Sequence, residues 1–344
     1  MRKEASLELW KKLYERAKEI DDLAPWQYVS ASNLISIVSE NRKDPVFLNI
    51  TGMGTDFRSV NLYQGLEGYG DYHMAATVGQ TDLTDDYVMF EQNVLTLYWN
   101  SMMDVSPEQR EIIDQLDVKF HDLGSWMEFV SQKKRFWPHL PDEEEVKLLI
   151  DAYENLIMVI RAVRDKKIDL DLEQGECIYR VYDKETGKWN MFVDAQPDME
   201  KQFPAVQLNE EDLKKQLQEK PQTDAELIVD FSYAGFPAQD EAYDQPVHPL
   251  MFIAVDSTRK EVLEAYFLSP DDGEIEAALN FFIAYVERHG RMKRIKARNP
   301  WIFGALADTC ALCQVELVHD PIQEADAIEQ DIKRRAQSQA AQGE

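Results

Sequence analysis

Residues 226–336 carry one feature that limits the fold more than any other: the order of their elements. "ELIVDFSY" at 226–233 reads as a strand. "PLMFIAVDSTRKEVLEAYFLSP" at 249–270 reads as two strands joined by a turn at Ser257–Lys260. Residues 272–288 place Ile275, Ala278, Leu279, Phe282 and Val286 at helical spacing. Asp271 and Glu274 form a capping-box pattern before that helix, and Gly290 stands where a C-terminal cap belongs. "RIKARN" then reads as a strand, 301–313 as a helix, "VELVHD" as a strand and 322–336 as a last helix. A hairpin joins antiparallel strands, whereas strands joined through helices run parallel. This order therefore predicts an α/β domain over 224–336 with three antiparallel and two parallel strands.

The first 197 residues follow another pattern. Residues 6–20 form a helix capped by Ser6, with Trp10, Leu13, Tyr14 and Ala17 on one face. "LISIVS", "VFLNITG" and "RSVNLYQ" are strands, and 87–99, "YVMFEQNVLTLYW", is further strand material. The glycines of "TGMGTDF" are too few for a phosphate loop and read as a turn. Ser106 caps a short helix at 106–116. Asp142 and Glu145 make a capping box for a long helix at 142–165, and a hairpin follows with its turn at Asp183–Gly187. This is an α+β domain, 1–197. Residues 198–223 are rich in Pro, Gln, Lys and Glu and serve as a linker with one short helix. Residues 337–344 are an expected disordered tail.

The formal net charge of −27 disfavours sequence-independent binding of nucleic acid by the whole chain, which requires a positive surface. It favours a protein partner. No apolar run approaches a membrane span, and "MRKEASLELW" has no signal-like core, so no membrane partner and a cytoplasmic setting are expected. Three cysteines fit a reducing compartment. Cys310 and Cys313 form one C-x-x-C inside an apolar helical pattern, which suits core packing better than redox chemistry. No second cysteine or histidine pair completes a zinc site.

The whole chain resembles a bacterial family built from two domains of unknown function. The front half carries this in "APWQYV", "LNITGMG", "LYQGLEGY" and "FWPHLPDEEEVKLLIDAYEN". The back half carries it in the 250–270 hairpin and in "ERHGRMKRIKARN". The resemblance implies a bacterial cytoplasmic protein and brings no activity or ligand with it. The element order of the back half, β-β-β-α-β-α-β-α, is that of the ribonuclease H-like fold.

That fold, in its active members, uses carboxylates to hold two Mg²⁺ ions. Asp230 occupies the place of the first carboxylate, and Asp320, Glu324 or Asp326 could supply another. At the end of the fourth strand, however, stand Arg298 and Asn299, which are not anionic oxygen ligands. Asn299 reads either as the remnant of a ligand or as an N-cap before Pro300. The expectation is a non-catalytic binding protein without a cofactor. The alternative is a metal-dependent nuclease or phosphodiesterase arranged around Asp230. The six cations at 288–298 are the only local candidate for an anionic ligand. Arg294, Lys296 and Arg298 share one face of a strand and, with Arg291, form either a basic groove or a set of ion pairs with nearby acids. Arg135 and Trp137, in "QKKRFWPHLP", form either a base-stacking surface or an anchored loop. An acidic mimic of nucleic acid is a third possibility.

Overall fold

The computed structural model describes residues 2–168, 175–198 and 203–340. The chain divides into two compact units: Met1–His73, Gln92–Lys133 and Pro138–Glu200 form the first, and Met74–Glu91, Lys134–Trp137 and Lys201–Glu344 the second. The second unit thus takes in two short pieces from the front half, where sequence reading places one break at 198–223. Part of that linker, 199–202, lies outside the described residues.

In chain order the elements are α1 (Leu7–Leu23), β1 (Ile35–Val38), β2 (Val46–Thr51), β3 (Arg58–Gln64), α2 (Gly65–Ala76) and α3 (Asp85–Phe90), then β4 (Val94–Asn100), α4 (Pro107–Leu116), β5 (Trp126–Gln132), α5 (Glu143–Arg164), β6 (Glu176–Asp183) and β7 (Lys188–Ala195). The rest are α6 (Glu211–Glu219), β8 (Glu226–Tyr233), β9 (Leu250–Asp256), β10 (Glu261–Leu268), α7 (Glu274–His289), β11 (Arg294–Ala297), α8 (Pro300–Cys313), β12 (Glu316–His319) and α9 (Gln323–Ala340). The chain is a mixed α/β protein with two multi-stranded sheets.

The first unit is built on a seven-stranded sheet ordered β5-β4-β3-β2-β1-β6-β7. Its β1–β6 pair is parallel. Trp10, Leu13, Tyr14 and Ala17 of α1 pack with Leu149, Tyr153, Leu156 and Ile160 of α5 in one apolar core. Their spacing of three and four residues puts each set on one helix face. A separate cluster joins Phe47, Tyr63, Val94 and Cys177 from strands to Tyr69 and Tyr72 of α2. Gly68 allows a close approach there, because a Cβ would lie 3.1 Å from the Tyr63 carbonyl carbon. The capping box of Asp142 and Glu145 forms as expected. Residues 85–90 are helical rather than extended: the Thr84 side chain accepts from Tyr87 N and starts a turn that ends before β4.

The second unit has a five-stranded sheet ordered β10-β9-β8-β11-β12. β8 and β10 both run antiparallel to β9, and β11 runs parallel to β8 and β12. On β8, Leu227, Val229, Phe231 and Tyr233 join the core that includes Phe281, Phe282 and Val286 of α7 and Ile302, Ala305 and Leu306 of α8. Ile228, on the opposite face, packs with Ile253, Val255, Ile322 and Ala325, the last from α9. Because strand side chains alternate, Asp230 shares the face of Ile228. Two helix boundaries differ from expectation. Gly273, not Asp271, precedes α7 and makes no side-chain cap, while Asp271 accepts from Tyr243 Oη at 2.7 Å. Helix α9 continues to Ala340, so the expected tail is helical over 337–340, and its last four residues lie outside the described residues. Cys310 and Cys313 are buried in the α8 core, and burial pushes the Cys310 thiol up to about 12.

Candidate functional site

Asp230, in the middle of β8, is 1% exposed. Arg298 directly follows β11, the strand beside β8, and its guanidinium reaches across to Asp230. Arg298 Nε donates to Asp230 Oδ2 at 2.8 Å, and Nη2 lies 2.7 Å from the same oxygen as an ion pair. The same Nη2 lies 2.7 Å from Asp326 Oδ1 and 3.9 Å from Glu329 Oε2, both on α9, and Nη1 donates to the Pro321 carbonyl at 3.3 Å. Asp326 and Glu329 are three residues apart, so one face of α9 presents both. Ile322 and Ala325 place α9 against the sheet, and the carboxylates follow.

The cluster therefore holds three carboxyl groups around one guanidinium. Asp230 Oδ1 and Glu329 Oε1 are buried and make no hydrogen bond among the described residues. Burial, and next the neighbouring Glu329, push the Asp230 carboxyl well above its ordinary range, against the pull of Arg298. Desolvation and a neighbouring carboxylate both disfavour the charged form of a carboxyl group, and Arg298 opposes them.

Of the three acids expected near Asp230, Asp326 reaches it, through Arg298. Asp320 Oδ1 accepts from Ile322 N at 3.1 Å and shapes the entry to α9. Asp320 and Glu324 line a groove of about 350 Å³ with Lys296, Ile228 and Pro321. Glu329 is the member that sequence reading missed. Its signal was the spacing from Asp326 on a helix whose apolar positions 322, 325 and 332 flank it. Asn299 is an N-cap: its Oδ1 accepts from Trp301 N at 3.0 Å. Among the described residues no group of three or more His, Cys, Asp or Glu is arranged to hold a metal ion.

The basic stretch disperses. β11 lies between β8 and β12, so it is not an edge strand. Arg298, read as part of either a basic groove or a set of ion pairs, is buried among the acids of β8 and α9, which is the ion-pair reading. Arg294 pairs with Glu316 at 2.7 Å and Glu226 at 3.6 Å, and Lys293 with Glu226 at 3.3 Å. Arg291 donates to the carbonyls of Lys220 and Cys313 at 2.8 and 2.9 Å. Lys296 makes no ion pair among the described residues.

Arg135 and Trp137 also turn inward. Arg135 is 6% exposed, adopts a left-handed φ of 69°, and pairs with Glu274 at 2.9 Å. Trp137 stacks on Phe90 and meets the edge of His248. Close by, Tyr233 Oη donates to buried Glu91 at 2.7 Å. Burial above all pushes the Glu91 carboxyl up. The 134–137 segment is thus an anchored piece of the second unit.

Residues 10–180 match the family model described as Domain of unknown function (DUF7309), and residues 213–333 match Domain of unknown function (DUF6930). Comparison with curated proteins finds no match.

Proposed function

We propose, for a chain made of these two domains of unknown function, that it is a non-catalytic binding protein whose second unit is a ribonuclease H-like scaffold. The strand order β10-β9-β8-β11-β12, with three antiparallel strands before the helix-linked parallel ones, supports the scaffold reading. The observation that carries the functional reading is Arg298. Its Nη2 stands 2.7 Å from oxygens of both Asp230 and Asp326, where a cation held by these acids would have to sit. Mg²⁺ needs near-octahedral oxygen ligation at about 2.0–2.1 Å, and a guanidinium in the midst of the acids repels it. The residues do not fit the metal. Arg298 instead supplies the positive charge itself and ties β8 and α9 together.

A bacterial cytoplasmic setting is part of this proposal, supported by three free, buried cysteines. No helix among the described residues is long and apolar enough to cross a membrane.

The test is cleavage of labelled single- and double-stranded DNA and RNA with Mg²⁺ or Mn²⁺, for wild type and Asp230→Asn. No cleavage above buffer is expected from either protein. Cleavage by wild type that Asp230→Asn abolishes would replace this reading with the metal-dependent nuclease.

A further inference from the structure

We propose that the free edge of β10 is a docking site for an extended, basic segment of a partner protein, which joins the five-stranded sheet as an additional strand. This inference does not depend on the Arg298 cluster, since an active enzyme could carry the same edge.

β10 is eight residues long and pairs only with β9 among the described residues. Its neighbour β9 is buried at every position, but most of β10 is open. Val262, Tyr266 and Phe267 remain 41%, 40% and 38% exposed, so a run of large apolar side chains borders an unpaired backbone edge. The other edge of the sheet, β12, has only four residues and no large exposed hydrophobic side chain. Free edges are usually blunted by charge or by bulges. On β10 both devices sit in the first half: Glu261, Glu264 and a break in register between Val262 and Glu264. From Glu264 to Leu268 the register is regular.

The surrounding charge selects the occupant. Glu261 and Glu264 lie on the strand itself. At its far end Tyr243 holds Asp271, and Phe236 meets Phe267, which brings the loop carrying Asp240 and Glu241 to the same place. A second copy of this chain would present the same acidic strand and a further charge of −27. A segment alternating cationic and apolar residues satisfies both features. Its backbone completes the ladder, its cations face the acids, and its apolar side chains cover Tyr266 on one face or Phe267 on the other.

The experiment uses the full chain labelled with ¹⁵N and an acetylated, amidated six-residue peptide of alternating lysine and valine, with a glutamate–valine peptide as control. The expected result is saturable binding of the lysine peptide, weakened about tenfold between low and physiological salt. Amide shifts should centre on 261–268. Glu261→Lys/Glu264→Lys should abolish binding, and Glu261→Lys alone, at an exposed position, should weaken it without lowering the melting temperature. Glu8→Lys/Glu15→Lys, at exposed sites on α1, should leave binding intact. The proposal fails if the lysine peptide does not bind, if both paired variants lose binding equally, or if the shifts spread over the chain. It also fails if wild type sediments as a dimer that Glu264→Lys dissociates, because a second copy would then occupy the edge.

Discussion

Arg298 directs two nitrogens at a single oxygen of Asp230, with Nε at 2.8 Å and Nη2 at 2.7 Å from Oδ2, and the other carboxyl oxygen is left without a hydrogen bond among the described residues. Removing the guanidinium would leave Asp230 and Glu329 buried with no countercharge. Arg298→Ala is expected to cost about 3–5 kcal/mol, the usual effect of breaking one side of a buried pair. Adding Asp230→Asn should recover part of that loss, because one fewer buried acid then lacks its partner. Urea denaturation of wild type, single and double variants measures both. An Arg298→Ala protein as stable as wild type would show that the cluster does not hold α9.

Fully buried His248 gives the second unit a pH dependence of definite sign. Its Nε2 accepts from Gly235 N at 3.1 Å, and the rings of Phe90, Trp137 and Tyr233 surround it. Burial first, then Lys333, lower its pKa to about 4. An unfolded histidine titrates near about 6.5, so on acidification the unfolded chain takes up the proton before the folded one. Stability is therefore fully present above about pH 6.5 and declines as the pH falls toward about 4, by as much as about 3 kcal/mol. His248→Gln keeps an acceptor for Gly235 and should reduce this decline. Thermal melts of both proteins at pH 7, 5.5 and 4 decide the matter.

Arg294 pairs with Glu316 where both side chains reach solvent, at 30% and 54% exposure. Such pairs contribute about 0–1 kcal/mol. Arg294→Ser/Lys296→Ser should lower stability by no more than that and leave affinity for short DNA and RNA unchanged. A titration at low salt is the check. Micromolar binding by wild type that the variant loses would make this strand a recognition surface.

Gly290, which ends α7, combines φ of +91° with a tight approach: a Cβ there would stand 2.5 Å from the Pro221 carbonyl oxygen. Gly290→Ala must strain the backbone and displace a main-chain atom, so it should cost more than about 1 kcal/mol. Asn299→Ala, which removes the α8 cap, should cost about 1 kcal/mol. Denaturation midpoints of the two variants give the ranking.

The sequence by itself determined the features that arise within one element or between neighbours. Reading "ELIVDFSY" as a strand assigned Leu227, Val229, Phe231 and Tyr233 to one face and Asp230 to the other, because strand side chains point in opposite directions by turns. Asn299–Pro300 announced the start of α8, because an N-cap and a proline at the first helical position are local steric and hydrogen-bonding preferences. Tertiary structure decided what depends on packing between distant segments. "YVMF" had the composition of a strand, yet Thr84 turns it into α3, and Tyr87 is buried in the second unit's core. Residues 74–91 and 134–137 joined that unit although no composition change marks them. Among 64 acidic residues, sequence reading set Asp326 beside Asp230 only as one of three candidates, and it paired neither Asp326 nor Glu329 with Arg298. Ion-pair partners are selected by which helix face lands on which strand, and α9 lands through Ile322 and Ala325, apolar residues that bear no charge signal of their own.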